Sequence, residues 1–506
     1  MWVQIVLGFI LMVSFWCWRN IKFIKQYRRL GCSYTALPFI GHAHMFSGDR
    51  EDIMNTFIKF AEDAIARGGV APLWLLGDYH LCLADPLDCE AALKNYLSKD
   101  KLLRMIRLLT GDSFIFAPVE IWRPRRKLMA PLFSVRSINA FMSSFSKQSE
   151  LMVDQLRTRA DKEPFALWPY VNALTLDAAC ETVLGVDLHS QLDPESPILV
   201  AMDKLVELAG DGLTKFWFQV EFIMKNHHSY KRFLKQQTVI RAFIDEVIRK
   251  QKERSHTITM NPITKEIYSL EDETKSVSLI EKLISLDGGL KVGDAGIRDE
   301  ALGLLLAATD TSATSISFVA LMMARHPDVQ EKVYNELQEV FGDSDRPVTL
   351  EDLPRLKYLE AVVKETLRLY PPASNIVREA DKDFLLPSGV KVFKGSNLII
   401  SIWGVQRNTK YWGADADQFR PERFLEGPLQ HQNAFLAFSC GQRGCTGVQF
   451  AMMFTKTAIS CILRKYRVLP AKEGDERKHL RLLFSVTLKE IDNFTVRLQS
   501  RENKLV

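Results

Sequence analysis

The segment Phe438-Ser-Cys-Gly-Gln-Arg-Gly-Cys-Thr-Gly447 runs directly into an apolar helical pattern that lasts through Tyr466. Gly441, Gly444 and Gly447 permit tight turns and let a flat ligand approach the backbone closely. Cys445 stands where a loop becomes a helix, so free backbone N–H groups and the helix dipole favour its thiolate. Arg443 is placed to meet an anionic group, and Phe438 to lie against a π-face. A low-pKa thiolate beside an aromatic ring and an arginine fits axial ligation of a haem whose propionates need neutralising. The competing reading is a buried structural cysteine, the usual fate of a lone Cys.

Upstream of this loop the chain reads as mostly helical. Apolar spacing near 3.6 predicts helices over Phe141–Leu156 and Tyr230–Lys250. A helix of nearly 50 Å is predicted from Asp294 to His326, ended by Pro327. Shorter ones follow over Pro327–Phe341 and Pro354–Leu369, the last stopped by Pro371-Pro372. Residues 253–277 read as a surface loop, and Asp287-Gly288-Gly289 as a stop. Strand signals are few and late: Val390–Phe393, and Phe484–Leu488 paired with Thr495–Leu498 across Asn493. The fold class is mainly α with small β pieces, in one large unit.

Composition excludes several classes. Of 506 residues, 47% are apolar and 25% charged, which excludes a disordered or fibrous chain. The net charge of +5 is too small over this length to argue for nucleic acid. The eight cysteines form neither a disulfide framework nor a zinc spacing. Met1–Trp18 carries no charged side chain, and as a helix it spans roughly 27 Å, near the thickness of a bilayer core. Arg19, Lys22, Lys25, Arg28 and Arg29 follow, so the positive-inside rule leaves the rest cytosolic. The expected organisation is an uncleaved anchor over 1–18, a basic, proline-containing linker over 19–45 and a catalytic domain over 46–506.

Three further constellations gain weight from their order. Glu365 and Arg368 share a helical face, although the same spacing recurs at Glu120–Arg123 and Glu246–Arg249 as any surface ion pair might be spaced. Leu-Tyr-Pro-Pro follows the first pair, and Phe419-Arg-Pro-Glu-Arg423-Phe424 comes some way later. Trp122 and Arg126 are four apart in W-R-P-R-R, with Pro124 suggesting a first helical turn. Leu304, Ala308, Thr311 and Ser315 form a stripe along the long helix that turns small and hydroxylic.

Taken together, these segments closely resemble the cytochrome P-450 superfamily of haem-thiolate monooxygenases, over essentially the whole chain. The resemblance implies that Cys445 is the iron's axial ligand in a haem lying between the long helix and the helix after the Cys loop. Trp122, Arg126, Arg378, Phe438 and Arg443 would then contact the haem, and Glu365, Arg368 and Arg423 would form a buried structural triad. Ala307-Ala308-Thr309-Asp310-Thr311-Ser312 resembles the oxygen-activating segment, with Asp310 and Thr311 as an acid–alcohol proton relay. Two departures matter: Ala308 replaces the usual Gly and narrows the space over the haem, and Ala307 replaces a Glu that esterifies the haem in some relatives. The porphyrin is therefore expected to be non-covalent.

Leu174–Gly185 and Trp122–Leu132 look most like the branch that includes fatty-acid omega-hydroxylases and many insect enzymes. Substrate-facing stretches are expected at Leu102–Ile121, Leu205–Phe222, Leu304–Thr311, Ala373–Val377 and Leu482–Val486; they are largely apolar, which implies a hydrophobic substrate taken with dioxygen. Phe216, Trp217, Phe218 and Phe222 either dip into the membrane or fill the core. Arg123, Arg125, Lys127, Lys456, Arg464 and Lys465 would offer a basic face to an electron donor. No flavin or nicotinamide site is apparent, so the electrons must arrive from another protein; the resemblance implies an NADPH-dependent flavoprotein reductase, with cytochrome b5 as a second donor, at the endoplasmic reticulum membrane. The rival readings are a haem-thiolate isomerase or dehydratase without a redox partner, a haem-bearing carrier or sensor, and a catalytically dead scaffold.

Overall fold

A computed structural model describes residues 1–99, 107, 110–215, 218, 221–260, 277–290, 293–472 and 480–501. The helix expected over 294–326 occurs as Gly293–Arg325, 33 residues, within one residue of the expected span at each end. His326 separates it from the helix Pro327–Phe341, because a proline cannot continue a helix and restricts the residue before it. Its composition would suit a membrane span, but 78% of its most apolar window is buried inside the protein. It packs against the helices Trp168–Ala179 and Val448–Lys465, and so forms the axis of the main core.

The other expected helices occur as Met142–Leu156, His228–Met260 and Lys357–Leu369. His228–Met260 extends into the stretch read as a loop from residue 253; the remainder of that stretch, 261–276, lies outside the described residues. Asp287-Gly288-Gly289 does not stop its helix, which runs over Leu279–Leu290. Pro124 sits inside Val119–Met129 in the second turn rather than the first.

Four strands form the largest sheet, in the order Val70–Leu75, Asp78–Leu83, Asn397–Ser401, Asn375–Glu379. The first two join through Leu76 and Gly77, both at positive φ, the two-residue turn whose twist matches that of the strands. Asn375–Glu379 pairs antiparallel with Asn397–Ser401, Arg378 opposite Leu398. The late strands differ from expectation. Thr495–Ser500 pairs with Tyr466–Pro470 and with Phe165–Ala166, not with Phe484–Leu488. Leu482–Leu483 pairs instead with Lys489–Glu490, so that Phe484–Leu488 forms the tip of a hairpin. Lys391–Val392, within the strand expected at 390–393, pairs with Phe384–Leu385.

Ile21–Leu30 is a helix whose face Phe23, Tyr27 and Leu30 packs into the same core as Trp74, Tyr79 and Phe393, leaving Lys22, Lys25, Arg28 and Arg29 outside. Gln26 Nε2 donates to the Lys391 carbonyl at 2.5 Å. The preceding helix Trp2–Arg19 meets it at a 68° bend and leaves Trp2, Leu11, Phe15 and Trp18 exposed.

One buried ionic cluster ties the C-terminal half together. Glu365 accepts from Arg368 Nε at 2.7 Å and Nη2 at 2.8 Å, and from Arg423 Nε at 2.9 Å. Arg368 spends its remaining donors on the carbonyls of Gln406, Ala416 and Gln418, within the chain that leads to the cysteine loop. All three side chains are buried, whereas the like-spaced Glu246–Arg249 pair is about half exposed. Breaking a buried pair strands its partners, so Glu365→Gln should destabilise the protein by about 3–5 kcal/mol. Glu246→Gln should leave denaturant unfolding unchanged; equal effects in the two variants would contradict this account.

Candidate active site

The cysteine loop is shaped by its backbone before its side chains. Ser439 and Gly441 both take positive φ, and a Cβ at Gly441 would meet the Leu93 carbonyl oxygen at 3.0 Å, so only glycine fits there without displacement. The Cys445 N–H donates to the Phe438 carbonyl at 2.9 Å, closing the loop, and the Gly447 N–H reaches Cys445 Sγ at 3.3 Å. The helix begins at Val448, so of the expected N–H groups Gly447 supplies the one that meets the sulfur. Cys445 is exposed by surface area, yet the surrounding protein pushes its thiol up, against the pull of the Gly447 N–H and Arg126. That combination is the condition of a group on the wall of a concavity.

Cations gather around the loop. Arg126 Nη2 donates to the Gly444 carbonyl at 3.0 Å, and burial lowers its pKa. Arg378 is 3% exposed; its Nη1 donates to the Val377 carbonyl, its Nε has no partner among the described residues, and burial lowers it to about 10. Arg443 is lowered to about 9 by burial and by Arg378 and Arg126 beside it. The expected anion for Arg443 is not what it meets among the described residues. It donates to the carbonyls of Leu97, Phe114 and Ala117 at 2.9–3.3 Å and lies 4.0 Å from the Trp122 ring, stitching the loop to the 97–122 segment.

Lys99, which the sequence did not single out, joins them. Burial, Arg378 and Arg443 push its ammonium well down. Among the described residues, no carboxylate acts on these four groups; the groups that raise Arg126 and Arg378 are the Cys445 and Cys440 sulfurs, whose own thiols burial pushes up. Such a cradle fits a flat, doubly anionic group set against the cysteine loop, which is the chemistry of a haem with two propionates. No group of three or more His, Cys, Asp or Glu suited to a metal occurs among the described residues.

A cavity of about 630 Å³ opens beside the cradle, bounded by Arg378, Ser439 and Arg443. Each of the five expected stretches contributes to its wall, through Ile115 and Phe116, Val206 and Leu213, Leu306 and Ala307, Ser374 to Val377, and Phe484 to Val486. The long helix presents Gly303, Leu306, Ala307, Asp310 and Thr311, a face displaced from the expected stripe, so that Leu304, Ala308 and Ser315 do not line it. A further wall that sequence reasoning missed comes from Phe46, Ile53, Phe57, Leu75 and Leu76, none of which carries a local signal for a cavity. Asp310 and Thr311 both line the cavity, but the Thr311 hydroxyl donates back to the Ala307 carbonyl at 2.6 Å.

The peripheral expectations divide. Phe216 and Trp217 lie outside the described residues; Phe218 is buried and Phe222 is 77% exposed. Of the expected basic face, Arg125 pairs with buried Glu300 at 2.8 Å, Lys456 is buried on Glu360, and Lys465 pairs with Asp345 at 2.6 Å. Arg464 donates to backbone carbonyls, and Arg123 and Lys127 stay exposed.

Fold and site define a mainly helical protein in which Lys99, Arg126, Arg378 and Arg443 gather around a cysteine-bearing loop. The chain belongs to the cytochrome P450 family: the model of the family described as "Cytochrome P450" matches residues 33–495. It is 31% identical over 485 residues to cytochrome P450 4d2 of Drosophila melanogaster, covering 94% of this chain and 95% of that one. It is 27% identical to human cytochrome P450 4V2 (94% and 91%) and 28% identical to cytochrome P450 4c21 of Blattella germanica (90% and 91%). The protein is thus a cytochrome P450 monooxygenase, an oxidoreductase whose cofactor is thiolate-ligated haem b and whose electrons come from NADPH through a reductase.

Removing one cation from the cradle tests its purpose. A hydrogen bond to a charged group contributes about 1.5–3 kcal/mol, so Arg378→Met should speed haem loss to a scavenger about tenfold or more. Lys127→Met, at an exposed position, should not; equal retention in both would contradict the cradle.

Proposed function

We propose that the protein is a membrane-anchored monooxygenase that places one atom of dioxygen into a hydrophobic small molecule of fatty-acid-like, terpenoid or xenobiotic type. The observation that carries this reading is the apolar cavity between the long helix, the hairpin tip Phe484–Leu488 and the cationic cradle. The balance is RH + O2 + two electrons + two protons giving ROH + H2O, the electrons coming from an NADPH-dependent flavoprotein reductase, with cytochrome b5 as a second donor. Cys445 would hold the haem through its thiolate, and the haem would supply the redox chemistry that cleaves dioxygen.

The chain's own residues do the rest. Arg126, Arg378, Arg443 and Lys99 neutralise the cofactor's carboxylates, with Trp122 and Phe438 packing beside them. Ala307, smaller than a glutamate and without a carboxyl, leaves the porphyrin non-covalent. Leu306, Phe116 and Phe484 exclude water and aim the substrate. Asp310 passes a proton toward the cavity and recovers one from solvent, while the Thr311 hydroxyl turns from the Ala307 carbonyl to carry it on. Glu365, Arg368 and Arg423 hold the core beneath the site and take no part in the chemistry.

Met1–Trp18 anchors the chain in the endoplasmic reticulum membrane with the catalytic part on the cytosolic side. Supporting this are the exposed apolar helix Trp2–Arg19 and the basic residues just after it. The retained acid and alcohol on the cavity wall favour oxygen activation over an isomerase, dehydratase or carrier.

Turnover of a panel of fatty acids, farnesol and 7-ethoxycoumarin with reductase, NADPH and ¹⁸O2 checks the reading. One labelled atom should enter the product, and Thr311→Ala should lower product per NADPH about tenfold or more while peroxide rises. Label-free product, or turnover without NADPH, would contradict it.

A further inference from the structure

The hairpin that follows the cysteine-loop helix brings a charge into the wall of the long helix. Lys489 Nζ lies 2.6 Å from Asp310 Oδ1 and 3.1 Å from Thr314 Oγ1. The Thr487 hydroxyl donates to the other carboxylate oxygen, Asp310 Oδ2, at 2.7 Å, and lies 2.9 Å from Thr314 Oγ1. Behind the ammonium stands the Trp168 ring, its centroid 3.5 Å away. The Lys489 and Asp310 side chains are 16% and 8% exposed. Burial pushes the lysine down, and the Asp310 carboxylate pulls it back.

A buried ion pair is weak support for stability, because desolvation consumes most of the attraction. This pair has a different consequence. Both oxygens of Asp310 are held by residues of one hairpin, and the tip of that hairpin, from Phe484 to Thr487, lines the cavity. The Thr311 hydroxyl is meanwhile turned to the Ala307 carbonyl, so the posture of the carboxyl is set by the hairpin and not by its neighbour on the helix.

Building on the monooxygenase reading, we propose that Lys489 is a positioning residue for proton delivery: it fixes the Asp310 carboxyl at the cavity wall and ties its posture to the hairpin tip that the substrate touches. Without the ammonium, the carboxyl has no ion-pair partner among the described residues and leaves this orientation. Protons then arrive more slowly, and electrons escape as O2 + two electrons + two protons giving H2O2, in place of water and oxygenated product. Lys489 itself gains and loses no proton in the net reaction.

The test uses full-length, haem-loaded protein with reductase and NADPH and no added substrate, so no ligand need be known. Lys489→Met should slow NADPH consumption about tenfold or more, raise the fraction recovered as peroxide and enlarge the solvent deuterium isotope effect. Lys489→Arg should restore all three. Thr487→Val, which removes one hydroxyl and leaves the ion pair, should move them in the same direction by less. In infrared difference spectra of ¹³C-aspartate-labelled holoprotein, the band absent from Asp310→Asn should shift in Lys489→Met and return in Lys489→Arg. Unchanged isotope effect and peroxide fraction in Lys489→Met, or an unmoved Asp310 band, would overturn the proposal. Haem-loaded wild type that consumes no NADPH would instead sink the monooxygenase reading, and the infrared comparison would still decide whether Lys489 holds Asp310.

Discussion

Four buried or half-buried basic groups with no carboxylate among the described residues to answer them are the constraint around which the site is arranged. Lys99, Arg126, Arg378 and Arg443 come from distant parts of the chain, and each is held near like charge at a cost that burial increases. A fold can carry such a cluster only if something else supplies the counter-charge. A dianionic cofactor does so, and its binding energy then becomes part of the energy of the folded state. The sheet presents Arg378, the short helix Val119–Met129 presents Arg126, and the cysteine loop presents Arg443.

The rest of the architecture keeps these elements in register. The Glu365 cluster satisfies every nitrogen of Arg368 with buried oxygens, which fixes the path of the chain from Gln406 to Arg423 ahead of the cysteine loop. On the opposite side Glu300 accepts from the Phe114 N–H and from Arg125, clamping the 110–125 segment to the long helix. Buried charges thus fix the segments that carry the cysteine loop and Trp122, while the cavity itself is walled by apolar residues together with Asp310, Arg378 and Arg443.

Much of this was legible in the sequence because it rests on residues whose chemistry is specific. A cysteine among glycines and an arginine, an acid beside an alcohol on a helix, and proline-bounded helical periods each have few structural uses. Less was legible where the information is long-range. The partner of Thr495–Ser500 is Tyr466–Pro470, and nothing local to either strand excludes the nearer Phe484–Leu488. The docked helix Ile21–Leu30 was written in the spacing of Phe23, Tyr27 and Leu30, but its basic face drew attention first. Lys99 and Lys489 look like any solvated lysine until tertiary contacts surround them. The same holds in reverse for Arg125 and Lys456, which were expected on a basic face beside the cofactor and which packing turns inward.

The central claim is that Cys445, at the mouth of this cationic cradle, is the thiolate ligand of the cofactor. The absorption spectrum of purified, dithionite-reduced protein under carbon monoxide tests it most directly, for wild type and Cys445→Ala. The account predicts a strongly red-shifted Soret band in wild type that is lost in the variant. A wild-type protein that is folded and loaded with haem but lacks that band, or a variant that keeps it, would contradict it.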